Sequence, residues 1–439
     1  MQQIEMVNYI ENILNESTGN ATNNMLGKIP NSLLKRILEI TILKETRNDK
    51  TKMHAILNID LGSKCNLRCK YCYARTKEKE IKEQTISSKT INNIPDFINK
   101  YYKKNESLRI NFLGTGEPFL KYSKLKEIIN LLTEQCENRD KLSFWICTNG
   151  TIDIVNQLRE LPNKNIRLGM SIECSEKLQN EIRTSEKYSK IGTYKLVKRN
   201  IENIINCSDL PQKYKDIWGL MVVHEKSGDL YSGLKFVRKL GISRVQMKPV
   251  RDSEISNEYE YFKKIYDQFV IDLINDIRRG ELKYLKMILN DIDYLGKFLI
   301  RILLREEVQN RCGAGQKMFS IASDGKIYTC DSMIGMKEKV IGDVSNCNIY
   351  NNKEICNVKM CSAYRNSECM ECWAKRICGG KCYYLFTISK EAQVTECKIK
   401  KHLICLAIII VDELEKNDRA KKEIEVFCNV MRRIRKNGI

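Results

Sequence analysis

No long hydrophobic run appears anywhere in the 439 residues. The longest, Leu403 to Val411, holds nine residues, against the ~20 that a helix needs to span a bilayer. It reads as a core helix. The segment Met1 to Glu11 carries acidic residues and no apolar stretch, so no secretory signal is expected and the chain is placed in the cytoplasm. Proline is scarce, at six residues. Basic residues form no block, although the net charge is +20. Scattered lysines with abundant Asn and Ile fit an AT-rich genome better than a nucleic-acid-binding face. Internal repeats and low-complexity tracts are lacking, which excludes a solenoid. The length suits two or three domains, at about 100–200 residues each. Hydrophobic content of 42% suits a folded globular chain.

Cysteine is the exception, at 19 residues. That is too few for a disulfide scaffold and too many for a reducing compartment with no use for thiolates, so the clusters point to metal. Three lie in Cys65–Cys72 and eleven between Cys312 and Cys405. The scattered Cys136, Cys147, Cys174, Cys207 and Cys428 read as small buried hydrophobes.

Short β-rich runs at His54–Asp60, Arg109–Leu113, Leu142–Thr148, Ile166–Ile172, Ile217–His224 and Arg244–Pro249 alternate with helical patterns near 88–103, 122–136, 151–160, 193–206 and 229–240. This alternation predicts an α/β fold with parallel strands, closing by right-handed crossovers into a partial or full barrel. Two amphipathic helices are expected in 1–52, continuous helix over 255–305, a loop-rich region after Cys312, and helices near 400–416 and 419–435.

Directly after the first strand comes Cys65-Asn-Leu-Arg-Cys69-Lys-Tyr-Cys72. Three thiolates on one short loop can hold three corners of a [4Fe–4S] cube and leave one iron open. Zinc wants four ligands, and no fourth Cys or His is nearby. The C-x3-C-x2-C spacing, with Tyr71 before the third cysteine, resembles the radical S-adenosylmethionine (SAM) superfamily. The resemblance implies a cluster on Cys65, Cys69 and Cys72 whose open iron binds SAM and splits it reductively to a 5′-deoxyadenosyl radical. Gly114-Thr115-Gly116-Glu117-Pro118 resembles the family's GGEP turn at the SAM amino group, with Thr115 interrupting the glycines. Thr148-Asn149-Gly150 resembles its TNG turn, though a plain turn reads as well. Ser171-Ile-Glu173 resembles the segment at the SAM ribose. Arg183 falls where relatives reach the SAM carboxylate; its alternative is a surface arginine on a helix. Tyr71 is implied to set its backbone beside the adenine.

In the C-terminal part, Cys312 and Cys330 flank Gly325, and Cys369-x2-Cys372-x5-Cys378-x3-Cys382 is followed by Cys397. This pattern resembles the SPASM domain, an auxiliary-cluster module of peptide-modifying relatives. The resemblance implies one [4Fe–4S] cluster on Cys369, Cys372, Cys378 and Cys397, and a second on Cys312, Cys330 and Cys382. Some relatives carry a fourth cysteine between the positions of 312 and 325, and this chain does not. Cys347, Cys356 or Cys361 is the alternative to an open iron that a substrate thiolate could bind. Asp331 follows Cys330, where the related sulfatase-maturating enzymes carry a general base; a solvated aspartate in a turn is the plainer reading. His224 reads as a strand-end histidine.

The expected layout is a helical segment 1–52, a partial (β/α)6 TIM-type barrel 53–255, a helical linker 256–308, a SPASM domain 309–400 and C-terminal helices 401–439. The expected enzyme is a radical SAM oxidoreductase that modifies a ribosomal peptide or protein, with a thioether or other crosslink leading. Formylglycine formation of the sulfatase-maturating type and small-molecule dehydrogenation are the alternatives. A basic zinc protein that binds nucleic acid is the rival from another class. Expected partners are a substrate with an acidic leader and a low-potential donor such as flavodoxin or ferredoxin, without membrane or nucleic acid. The N-terminal segment is shorter than the winged-helix recognition domain of many peptide maturases.

Overall fold

Runs rich in Ile, Val, Phe, Trp and Leu fold as six parallel strands. They are β1 (Ala55–Ile59), β2 (Leu108–Phe112), β3 (Leu142–Thr148), β4 (Asn165–Ser171), β5 (Trp218–Val223) and β6 (Arg244–Pro249). Each pairs in parallel with the next. This computed structural model describes Ile10 and residues 54–75, 84–162, 165–250 and 259–437. The two helices expected in 1–52 lie outside the described residues, apart from Ile10, which is helical and buried.

Amphipathic helices fill the connections. In Thr193–Asn206 the buried positions Val197, Asn200, Ile201 and Ile204 recur at three- and four-residue steps. Side-chain caps fix where helices begin: Ser175 accepts from the Leu178 N–H, and Asp229 from the Ser232 N–H. The result is the expected partial (β/α)6 barrel, whose loops at the C-terminal strand ends share one rim.

The sheet continues past the barrel. β7 (Met318–Ile321) adds in parallel to the free side of β1. Antiparallel β8 (Lys326–Tyr328), β9 (Gly342–Asp343) and β10 (Asn348–Ile349) extend it to ten strands, ordered β10-β9-β8-β7-β1-β2-β3-β4-β5-β6. The loop-rich expectation after Cys312 is corrected here: strands of two to four residues are too short to carry a periodicity. One polar ladder locks the junction. Asn111 Nδ2 donates to Asn58 Oδ1 at 2.8 Å, and Asn58 Nδ2 donates to Ser320 Oγ at 3.0 Å.

The continuous helix expected over 255–305 is also corrected. Its described part is three helices: Tyr259–Arg278, Lys283–Ile288 and Gly296–Leu304. Gly280, at φ +74°, takes the left-handed turn after the first, and the Asp293 carboxylate accepts from the Leu295 and Gly296 N–H groups at the start of the third. The first and third pack against the long helix Lys390–Lys416, where Leu403–Val411 is wholly buried. No helix among the described residues is long and apolar enough to cross a membrane.

Candidate functional site

β1 ends at Ile59, and the chain enters the cysteine loop through Asp60 and Gly62. The turn after β2 presses against that entrance. Gly114 has φ +144°, and a Cβ there would stand 2.6 Å from Asp60 Oδ1; a Cβ on Gly116 would stand 2.2 Å from the Gly62 carbonyl oxygen. Close approach therefore demands glycine at both positions. Thr115 between them is used: its N–H and its hydroxyl both donate to Asp60 Oδ1 at 3.0 Å. Burial pushes the Asp60 carboxyl up, and the Thr115 donors oppose the rise. The Glu117 N–H donates to the Lys64 carbonyl at 3.0 Å, and Lys121 Nζ to the Gly62 carbonyl at 2.7 Å. The backbone just before Cys65 is thus held at two points.

The Glu117 carboxylate is buried and accepts from Thr148 Oγ1 at 2.7 Å, the Asn149 N–H at 2.8 Å and the Phe119 N–H at 3.2 Å. A carboxylate offers about four acceptor positions, so an arriving ammonium group finds one left. Pro118, also buried, opens the short turn that presents this side chain. Asn149 reaches the cysteine loop: its Nδ2 donates to Asn66 Oδ1 at 2.8 Å and lies 3.9 Å from Cys65 Sγ. Asn66 in turn donates to Thr151 Oγ1 at 2.8 Å.

A second knot holds the other end of the loop. Arg68–Cys69 pairs antiparallel with Arg183–Thr184. Arg183 is 6% exposed, which removes the surface-arginine reading. Its Nε donates to Glu173 Oε1 at 2.8 Å, its guanidinium lies over the Tyr71 ring at 5.4 Å, and its Nη1 lies 4.0 Å from Cys69 Sγ. Burial works against the Arg183 charge, but Tyr71, Glu173 and Cys69 outweigh it and hold the guanidinium protonated. The Tyr71 hydroxyl donates to the same Glu173 oxygen. Among the described residues the other oxygen, Oε2, is buried without a hydrogen-bond partner, as is His224 Nε2, 3.9 Å away. Burial keeps that imidazole neutral by lowering its pKa. Ser171 ends β4, half-buried, two residues before Glu173. An orphaned carboxylate oxygen and imidazole nitrogen at a strand end suit a hydroxyl-bearing ligand such as a ribose.

Cys65, Cys69 and Cys72 are half-buried. Burial pushes the Cys65 and Cys69 thiols up, and neighbouring thiols add to the rise. Thiolates here need cations; iron bound by the three would supply them, and Arg183 beside Cys69 contributes. Asp331, half-buried after Cys330, reaches the same loop: the Tyr73 hydroxyl donates to Asp331 Oδ2 at 3.3 Å and to the Gly114 carbonyl at 3.2 Å.

Farther along, Cys369, Cys372, Cys378 and Cys397 are near enough that burial and one another's charges govern the Cys369 thiol. Cys312 is exposed, while Cys330 and Cys382 pack on a small core of Tyr328, Met333 and Tyr384. Gln393 links the two sets, accepting from the Cys382 N–H at 3.1 Å and donating to Cys397 Sγ at 3.3 Å. Among the described residues no three His, Cys, Asp or Glu side chains are gathered as around a single metal ion. The surroundings suit anionic clusters. Lys400, 1% exposed, donates to the Gly380 carbonyl at 2.8 Å and lies 3.4 Å from Glu396 Oε2. Arg311 pairs with the same Glu396. Against burial, Arg311, Lys400 and Lys297 hold Glu396 down at about 2. Burial and the neighbouring cations bring the Lys297 pKa well down, so Arg311 and Lys400 are the two firm cations at this carboxylate, and the excess falls on the thiols: burial would raise Cys378, yet Lys400 brings it down.

The sequence did not mark Asp60, Asn66, Tyr73, Thr151, Lys297, Arg311, Glu396 or Lys400 as site residues. Asn66 sat inside the cysteine motif in plain view. Glu396 and Lys400, four residues apart on a helix, look like a solvated pair. Of the scattered cysteines, Cys136, Cys174 and Cys428 are buried as expected. Cys147 accepts from Trp145 Nε1 at 2.9 Å, and Cys207, half-buried, donates to Asp209.

The family model described as Radical SAM superfamily matches residues 59–223. A cysteine-type anaerobic sulfatase-maturating enzyme of Clostridium novyi is 24% identical over 313 residues, covering 66% of this chain and 79% of that one. A serine-type anaerobic sulfatase-maturating enzyme of Klebsiella pneumoniae is 22% identical over 338 residues, covering 74% and 81%. The solved structure of native anSMEcpe with bound AdoMet and Kp18Cys peptide superposes with a TM-score of 0.62 at 19% identity, over 81% of this chain and 98% of that one. The family's [4Fe–4S] cluster and SAM are accordingly this chain's cofactors, and the many cysteines of its C-terminal region are consistent with auxiliary clusters. Residues 59–223 thus match a radical SAM domain, in a chain that is similar to sulfatase-maturating enzymes and is an enzyme of radical redox chemistry.

Proposed function

We propose that the chain oxidises a Cys or Ser side chain in a peptide or protein, with Asp331 as the base. The observation that carries the reading is the Tyr73–Asp331 hydrogen bond, which ties a carboxylate to the cysteine loop from 258 residues away. The named relatives include both a cysteine-type and a serine-type sulfatase-maturating enzyme. When bound, SAM and the clusters supply a hydrogen-abstracting 5′-deoxyadenosyl radical and a sink for the second electron. Asp331 takes the proton from the substrate thiol or hydroxyl as its carbon is oxidised, and Tyr73 orients that carboxylate. In this reading Cys65, Cys69 and Cys72 hold the SAM cluster. Gly114, Gly116 and Pro118 shape its rim. Glu117 and Asn149 receive the SAM amino group, Ser171 and Glu173 its ribose and Arg183 its carboxylate, with Tyr71 beside the adenine. The auxiliary clusters fall to residues 309–400 and the radical chemistry to 53–255. The basic surface suits an acidic leader, and flavodoxin or ferredoxin suits the reductant.

Thioether crosslinking is the second reading. The exposure of Cys312 favours it by leaving the auxiliary face open to a bulky peptide. One assay separates the two. Anaerobic protein, dithionite and SAM are given Cys- and Ser-containing peptides, and 5′-deoxyadenosine and peptide mass are followed. An aldehyde trapped by a hydrazide supports the first reading, and loss of two hydrogens without an aldehyde the second. Asp331→Asn should still cleave SAM while losing product by roughly 10²-fold or more. Full product formation by Asp331→Asn would remove Asp331 from the mechanism.

A further inference from the structure

Cys312, Cys330 and Cys382 make an incomplete set for a four-iron cluster. Three cysteines outside the other auxiliary set lie between Cys330 and Cys382 in sequence, and their surroundings differ. Cys347 points at the barrel helices: its thiol donates to the Val344 carbonyl at 3.4 Å and reaches the Asn93 carbonyl at 3.9 Å. Cys356 is exposed on the helix Asn352–Lys359. Cys361 follows that helix into a backbone clamp.

The clamp has three segments. The Lys381 N–H donates to the Cys361 carbonyl at 2.8 Å, and Ser362 forms a β-bridge with Gly380. Ser362 Oγ donates to the Gln309 carbonyl at 2.7 Å, and the Ala363 N–H is shared between the Gln309 and Gly379 carbonyls at 3.3 Å. No side chain fits between them: a Cβ on Gly380 would stand 2.2 Å from the Cys361 carbonyl oxygen, and one on Gly379 2.7 Å from the Asn310 backbone. Residues 309–311 lead straight into Cys312 and residues 379–381 straight into Cys382. The clamp therefore fixes the backbone of Cys361 beside both. Its side chain packs on the same small core as those of Cys330 and Cys382. We propose that Cys361 is the fourth protein ligand of the auxiliary cluster held by Cys312, Cys330 and Cys382.

A cluster closed by four thiolates has no iron to offer a substrate thiolate. Its part is then electron transfer, and substrate specificity falls to the barrel mouth. This inference rests on the presence of the second auxiliary cluster and is independent of which side chain the enzyme oxidises.

The test reads the cluster and not turnover. Full-length protein carrying Cys65→Ala, Cys69→Ala and Cys72→Ala, which silences the SAM site, is reconstituted anaerobically, reduced and titrated with potassium cyanide under EPR and Mössbauer spectroscopy. The expected result is spectra indifferent to cyanide. Adding Cys361→Ala should create one cyanide-sensitive iron and, on brief ferricyanide oxidation, a [3Fe–4S] signal; adding Cys356→Ala should create neither. Should the alanine variant fail to fold, Cys361→Ser retains a ligand and should shift the EPR g-values of one cluster. A cyanide response before any change at Cys361 overturns the proposal, as do unchanged spectra in both Cys361 variants. Reconstituted protein with iron for only one auxiliary cluster overturns the cluster assignment beneath it.

Discussion

Thr115 stands where relatives are expected to carry glycine, and restoring glycine there is predicted to do harm. Its hydroxyl is 3.0 Å from both oxygens of the buried Asp60 carboxylate. Removing one partner of a buried acceptor costs about 1–3 kcal/mol, and an added glycine loosens the unfolded chain further. Thr115→Gly should therefore lower the melting temperature and weaken SAM binding, while Thr115→Ser should leave both nearly unchanged; differential scanning fluorimetry and calorimetric SAM titration read the two effects. Arg183 allows a sharper contrast. It is the ion-pair partner of Glu173, which is fully buried. Arg183→Ala strands that charge, at a cost of about 3–5 kcal/mol. Arg183→Lys keeps the charge but loses the planar fork and its place over the Tyr71 ring, so it should fold and bind SAM at least about tenfold more weakly. Equal SAM affinity in Arg183→Lys would show that the guanidinium geometry is immaterial.

At the scale of elements, what was legible depended on length. β3 and β6 were bounded correctly because Leu142–Thr148 is a largely apolar run and Arg244–Pro249 alternates polar and apolar residues, and the cysteine motif was legible because its spacing is chemical. β7 was not legible. Met318–Ile321 has four residues, and its partner β1 lies some 260 residues away in the chain, so only tertiary pairing defines it. The buried contacts that weld cysteine region to barrel were hidden likewise, since Asn58, Asn111 and Ser320 look like ordinary polar residues until the sheet is assembled. Their ladder predicts that Asn58→Ala, which unpairs buried groups on both neighbouring strands, destabilises the protein by about 1–3 kcal/mol. Denaturant unfolding should show barrel and cysteine-rich region melting together, because β7 shares the barrel's sheet. Two separate transitions, with only one moved by the substitution, would contradict a shared sheet.

Across the whole molecule the charge excess near the auxiliary cysteines joins parts far apart in sequence. Lys297 comes from the helix Gly296–Leu304, Arg311 from the approach to Cys312, and Lys400 with Glu396 from the helix Lys390–Lys416 that packs on the barrel-side helices. Burial and its neighbours bring the Lys297 pKa well down, so without clusters Arg311 and Lys400 leave one positive charge more than Glu396 can balance held out of water; with anionic clusters bound, that charge is neutralised. Cluster binding and folding are then coupled, since whatever binds only the folded state stabilises it. Removing iron with a chelator should lower the melting temperature, and sulfate, an anion, should restore part of it. Lys400→Met, similar in volume and uncharged, separates the two roles of the cation. It should make the iron-free protein more stable than the unsubstituted iron-free protein. It should also make one auxiliary cluster harder to reduce, because the added electron loses a nearby positive charge; a tenfold change in that equilibrium is about 59 mV for one electron. Potentiometric EPR titration of both proteins measures the shift. A midpoint that stays put, or moves to higher potential, would mean that Lys400 does not face a cluster.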